Sequence, residues 1–204
     1  MKFFPLFLSL LITTHLPAQN DQAELEKTFT AYQTAMQNNK GAEAISYLDS
    51  ASMDYFKMIL GKVIGADSVA IEALTLSEKF NVLMIRQLAT KKQILAFTPA
   101  TMTAFAFDHG MGKSDLDSTS LGKAKIKGNT AKAPLMKKGK KTETEYQFNL
   151  EHGKWKINVL PLMQESETDI KNMLNGENEN EFIFSMLELM SGKAPTKAIW
   201  KPIK

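Results

Sequence analysis

The hydrophobic period changes once in the middle of this chain, and that change constrains the fold more than any other feature. Before Gly112 the apolar residues recur at helical spacing, as in Leu25, Phe29, Tyr32 and Met36. From Leu121 to Val159 the period is two. Ala124 and Ile126 alternate with Lys123, Lys125 and Lys127, and Ala131, Ala133 and Leu135 follow. Tyr146, Phe148 and Leu150 alternate with Glu145, Gln147 and Asn149, and Trp155, Ile157 and Val159 alternate with Lys156 and Asn158. Turn signals at Gly128-Asn129, Lys137 to Lys141 and His152-Gly153 separate about four strands. Such a meander has one apolar and one polar face, and its apolar face must pack on the helices. Pro134 cannot donate to a ladder, so its strand is an edge or carries a bulge. The expected class is α+β.

The helical half is punctuated. Asp21 with Glu24 reads as the start of the first helix, and Asn38-Asn39-Lys40-Gly41 as its stop. Ser52 can cap a helix carrying Tyr55, Phe56, Ile59, Leu60 and Val63. Asp67 caps a short one, Ser77 starts another, and one more follows Pro99. After the strands, helical spacing returns at Ser166 to Leu174 and at Asn178 to Met190. The expected division is 19–112 mainly helical, 113–162 antiparallel sheet and 163–204 helical, within one domain.

Residues 1–18 have the layout of a signal peptide: basic Met1-Lys2, an apolar run from Phe3 to Ile12, and a small residue at Ala18. The run is shorter than the roughly 20 residues that span a bilayer. Cleavage after Ala18 leaves Gln19 first and 186 residues (204 minus 18). The chain has no cysteine. That removes lipidation, disulfides, thiol nucleophiles and cysteine metal sites, and it suits a bacterial periplasm or medium better than a eukaryotic secretory route. The formal charge is +3, or +2 without Lys2, too mild to argue for nucleic acid. No second run could form a transmembrane segment.

"GKWKI", residues Gly153 to Ile157, resembles the last strands of the NTF2-like superfamily. Asp54-Tyr55-Phe56, Val82 to Arg86, Phe105 to Gly110, Glu181-Phe182-Ile183 and Ile199 to Pro202 resemble uncharacterised secreted bacterial proteins of that type. The resemblance implies a strongly curved antiparallel sheet closed by an N-terminal helix into a cone with an apolar pocket. The long helical stretch from Ser52 to Gly110 and the helices after the last strand depart from the simple plan. Either could fill or cover that pocket.

Few residues suggest chemistry. There is no serine nucleophile elbow, phosphate loop or HExxH stretch. His109 is the one histidine suited to act as a base; its plainer reading is a cation at a helix C-terminus. Asp54 beside Tyr55 would supply an acid–base pair if a pocket enclosed it, as in some NTF2-like isomerases. Asp108, His109, Asp115 and Asp117 lie close together without EF-hand spacing, so neither metal nor cofactor is expected. Arg86, the only arginine among 25 basic residues, sits in an almost wholly apolar helix. A buried guanidinium needs a partner, and the expectation is a structural ion pair with Asp54 or Asp108. Lys137, Lys138, Lys140 and Lys141, with Lys123, Lys125 and Lys127, make a basic sheet edge that discourages strand pairing or touches an anionic surface.

These readings combine into an exported, non-enzymatic module that binds a partner protein or an apolar small molecule. Tyr32, Tyr55, Tyr146, Phe148 and Trp155 are the expected wall. The alternative is an isomerase- or hydrolase-type enzyme using Asp54 and His109.

Overall fold

A computed structural model describes residues 16–113 and 118–203, with side chains from Asn20 onward. The expected leader therefore lies outside the described residues except for the backbone of 16–18, and so do Asp115 and Asp117. The chain is α+β, with a curled antiparallel half-barrel sheet packed against helices. Seven helices come first among the described residues: α1 (Leu16–Gln37), α2 (Gly41–Ala44), α3 (Ser50–Gly65), α4 (Ser68–Glu72), α5 (Leu76–Leu88), α6 (Lys91–Ala96) and α7 (Pro99–Asp108). The strands follow as β1 (Thr119–Leu121), β2 (Lys125–Lys127), β3 (Thr130–Lys137), β4 (Lys140–Glu151) and β5 (Lys154–Asn158), and then α8 (Leu160–Leu174) and α9 (Glu179–Ser191).

Pro134 shapes the sheet. β3 is flanked by β4 on one side and by β1 and β2 on the other, so it is no edge strand. The irregularity is a register shift between Pro134 and Met136 in the β3–β4 ladder. On the other side, β1 pairs with 135–137 and β2 with 130–132. The gap between them faces the proline, whose nitrogen cannot donate, while its carbonyl accepts from Gly122 N–H at 2.8 Å. A bulge of this kind bends and twists its strand, which helps the sheet curl. The β3–β4 turn places Lys138 and Gly139 at φ of 50° and 75°, the two left-handed residues of a tight hairpin.

α1 lays Leu25, Phe29, Tyr32 and Met36 against the sheet, all of them buried. Opposite them lie Ala131, Ala133, Tyr146, Phe148, Trp155 and Ile157. The Tyr146 ring stands edge-on to Phe29, with centroids 4.9 Å apart.

Several helix starts differ from their sequence signals. α1 begins before Asp21, whose carboxylate instead accepts from the Trp155 indole N–H at 3.2 Å. α3 is capped by Asp49 and not Ser52: the Asp49 carboxylate takes the Ser52 N–H at 2.8 Å and the Asn149 amide at 2.7 Å. Ser52 Oγ is then free to accept from Val159 N–H at 3.0 Å. This buried cluster stitches the helical layer to β4 and to the end of β5. α5 starts one residue early, on a Thr75–Glu78 capping box. α6 was not expected; it has its own Thr90–Gln93 box. α8 begins at Leu160, six residues before its expected start, with Pro161 in its first turn and no side-chain cap.

Candidate functional site

A cavity of about 300 Å³ opens between the sheet and α8. Tyr32 of α1, Phe107 of α7, Leu135 of β3, Tyr146 of β4, and Leu162 and Met163 of α8 form its apolar body. Lys137, Thr142, Thr144, Glu165 and Asp169 supply polar groups. Tyr32 and Tyr146 are 5% and 3% exposed, yet neither phenol hydrogen-bonds to another described residue. Neither hydroxyl is sealed from solvent without a partner, since the only such atom among the described residues is Asn180 Oδ1. Both residues line the cavity. Burial raises both phenol pKa values, that of Tyr146 to about 12 with help from Glu165 and that of Tyr32 with help from Tyr146. Both stay protonated and neutral at neutral pH.

α8 is anchored over this cavity by Glu167. Its carboxylate accepts from the backbone N–H of Leu76 at 3.2 Å and of Ser77 at 2.7 Å, taking up free donors at the start of α5. Lys171 pairs with it at 2.9 Å. Burial alone would raise the Glu167 pKa, but bonds from Ser77, Lys171 and Leu76 outweigh it and hold the carboxyl at about 2. One residue turns an α-helix by about 100°. Glu165 and Asp169, two residues either side of Glu167, therefore share a face turned away from it, and that face lines the cavity.

The five expected wall residues divide. Tyr32 and Tyr146 line the cavity. Tyr55 lines a narrower apolar cleft of about 50 Å³ that shares Phe107, Gly112 and Met163 with it. Burial, with Glu78 and Glu167 nearby, raises the Tyr55 pKa to about 12. Phe148 and Trp155 are core residues under α1 and line neither space. Asp54 is exposed and also lines neither. His109 is exposed at the C-cap of α7, where its Nδ1 lies 2.7 Å from the Phe105 carbonyl and its ring lies against Phe105. Lys138, Lys140 and Lys141 are exposed around the β3–β4 turn, whereas Lys137 reaches the cavity wall.

The ion pair expected for Arg86 is replaced by something else. Arg86 is 6% exposed, and no carboxylate pairs with it among the described residues. Nε donates to the Val63 carbonyl at 2.7 Å, Nη1 to Ile199 at 2.8 Å, and Nη2 to Ala66 at 2.7 Å and Lys62 at 3.1 Å. Three of these carbonyls belong to the end of α3, where acceptors are unsatisfied and positive charge is favoured. The fourth belongs to the 3-10 turn Lys197–Trp200, so one side chain joins α3, α5 and the C-terminal segment. Asp54 is exposed, and the Asp108 carboxylate caps α2 by accepting from Gly41 N–H at 2.6 Å. Burial lowers the Arg86 pKa to about 10, which leaves it charged at neutral pH. Lys79, 2% exposed, carries a second buried charge that nothing in the sequence signalled. It pairs with Glu72 at 2.9 Å and Glu179 at 2.7 Å, tying α4 and α9 to α5.

Among the described residues no three histidine, aspartate or glutamate side chains are grouped to hold a metal ion. No described helix is long and apolar enough to cross a membrane. Fold and site together define an α+β chain with a phenol-lined cavity between a half-barrel and a covering helix. No family model matches this chain, and no curated protein and no solved structure matches it either.

Proposed function

We propose that this protein is an exported, non-catalytic module of NTF2-like type that binds a small molecule in the cavity between the sheet and α8. The observation that carries the reading is the pair of buried phenols, Tyr32 and Tyr146, which line the cavity and hydrogen-bond to no other described residue. Buried polar groups in folded proteins are normally hydrogen-bonded, and a ligand or ordered water meets that need here. A volume of about 300 Å³ falls at the small end of ligand sites. The mixed lining favours an amphipathic guest over the purely apolar one expected from the strand pattern.

The NTF2-like assignment is supported by the curled sheet under α1 and by the position of Gly153 to Ile157, which form the last hairpin turn and β5. Export is supported by the layout of residues 1–18. Cleavage after Ala18 keeps every described buried residue of α1, the first of which is Leu25. The enzyme alternative gains no support from Asp54 or His109, both exposed and both outside the cavity wall.

Native mass spectrometry of the protein purified gently from its host tests this reading. The expected spectrum shows a mature chain beginning at Gln19 with a small added mass that leaves on denaturation. A full-length precursor refutes export. A clean apo mass, combined with no thermal stabilisation by a metabolite library, refutes ligand binding.

A further inference from the structure

We propose that the ligand of this cavity carries a protonated amine on an apolar or aromatic body; the inference rests on the binding reading above. Three charged side chains line the cavity: Lys137, Glu165 and Asp169. Glu165 and Asp169 lie one helical turn apart on α8. Neither makes a hydrogen bond or an ion pair to any other described residue. Glu165 is half-buried, where a carboxylate without a cation is unfavourable. Glu151 and Glu167, by contrast, are satisfied by N–H donors at helix starts. Glu165 is not, and it faces the ligand space.

The phenols select the same chemistry. Burial first, and then the nearby Glu165 carboxylate, opposes ionisation of Tyr146, so its hydroxyl stays neutral. A neutral phenol oxygen accepts from an ammonium N–H while its own O–H donates onward to a carboxylate. The rings of Tyr32, Phe107 and Tyr146 offer π faces, which attract cations and repel anions. A ligand carboxylate placed beside Glu165 would meet like charge at short range, and a neutral hydroxyl would leave Glu165 without a counter-charge. Lys137 gives an acidic group its one opposing argument, and an acid probe tests it. The space equals about ten waters' share of bulk liquid, enough for a simple arylalkylamine.

The test is titration of the ¹⁵N-labelled mature protein with three probes of one shape: phenethylammonium, 2-phenylethanol and 3-phenylpropionate. The expected result is shifts at Tyr32, Tyr146 and α8 with the ammonium, which binds at least about tenfold more tightly than the alcohol, as one charge-assisted hydrogen bond implies. The acid is expected to bind more weakly than either. In the double variant Glu165→Gln/Asp169→Asn the ammonium loses its advantage while the alcohol keeps its affinity. Both side chains lack protein partners, so folding is expected to survive. Equal binding of ammonium and alcohol, a preference for the acid, or an ammonium advantage that persists in the double variant overturns the amine inference and leaves the binding reading intact. No shift at the cavity with any probe at millimolar concentration also overturns the amine inference, and only a clean apo mass with no stabilisation by a metabolite library overturns the binding reading as well.

Discussion

Two buried polar sites in this protein have opposite accounts of their hydrogen bonds. At Arg86 four bonds reach four main-chain carbonyls, and the C-terminal segment is held by one of them. At Tyr32 and Tyr146, residues of comparable burial, neither hydroxyl reaches another described residue. A satisfied buried polar group supports a unique packing, and a half-satisfied one is costly unless something else fills it. The first site therefore belongs to the stability of the helical layer, and the second is the place the proposed guest would fill. Trp155 marks the boundary: it lies on the same sheet face as Tyr146 but finds Asp21 for its N–H and behaves as core.

The largest expected effect tests the first half of that contrast. Arg86→Met removes the donors and leaves carbonyls at the end of α3 and at Ile199 buried without partners. Each buried acceptor left unsatisfied costs about 1–3 kcal/mol, so a loss of several kcal/mol is expected, read by urea denaturation. Arg86→Lys keeps the charge but not the planar fork and is expected to recover only part of the loss. If Arg86→Met remains within about 1 kcal/mol of wild type, the carbonyl clamp is not what holds the helices together.

Acid comes next, through the anchor of α8. The Glu167 pKa is about 2 in the folded protein and near 4.3 when unfolded. A depressed carboxyl pKa contributes stability that is complete above the unfolded value and is lost as pH falls through the folded one. The expected contribution near neutral pH is about 1–3 kcal/mol, discounted for the partial solvent access of this carboxylate. Glu167→Gln should therefore be destabilised near pH 7 and should show a flatter loss of stability between roughly pH 4.3 and 2. The same variant should loosen α8, detected as faster amide exchange in α8 than in α3. Unchanged exchange would mean that Glu167 does not anchor the cavity's covering helix.

How much of this was visible in sequence depends on whether a feature is local. The change of period exposed the sheet and the main helices because burial repeats along each element. α6 escaped because six residues are too few for a period to show, although its Thr90–Gln93 box was written in the chain. The start of α8 escaped because Val159 offers no capping side chain. Alternation picked out Tyr146, Phe148 and Trp155 as one face of the sheet, but it cannot say which of them lie under α1 and which meet a cavity. Glu165 and Asp169 became wall residues only because α8 folds back over β4, a long-range event. Arg86 was conspicuous in its apolar helix, but main-chain carbonyls have no residue type, so a carboxylate stood in as its partner.

Trp155→Phe is expected to cost about 1–2 kcal/mol, the loss of one hydrogen bond and some buried area. It should leave binding of phenethylammonium unchanged, since Trp155 does not line the cavity. If binding weakens, the boundary between core and site lies elsewhere on this face.

The smallest effect on stability is the most informative. Tyr146→Phe deletes a hydroxyl that bonds to no other described residue and keeps the ring, with its edge-on contact to Phe29. The unfolded chain loses a well-solvated phenol, so the folded state should be unchanged or slightly stabilised, within about 0.5 kcal/mol. Binding of phenethylammonium should nevertheless fall several-fold, because a hydrogen bond to a charged group is worth about 1.5–3 kcal/mol and part of it passes to water. Stability and affinity would then move independently at one atom, which a structural role cannot produce. If Tyr146→Phe instead destabilises the protein by about 1 kcal/mol or more, the phenol has a partner inside the fold, and the contrast with Arg86 disappears.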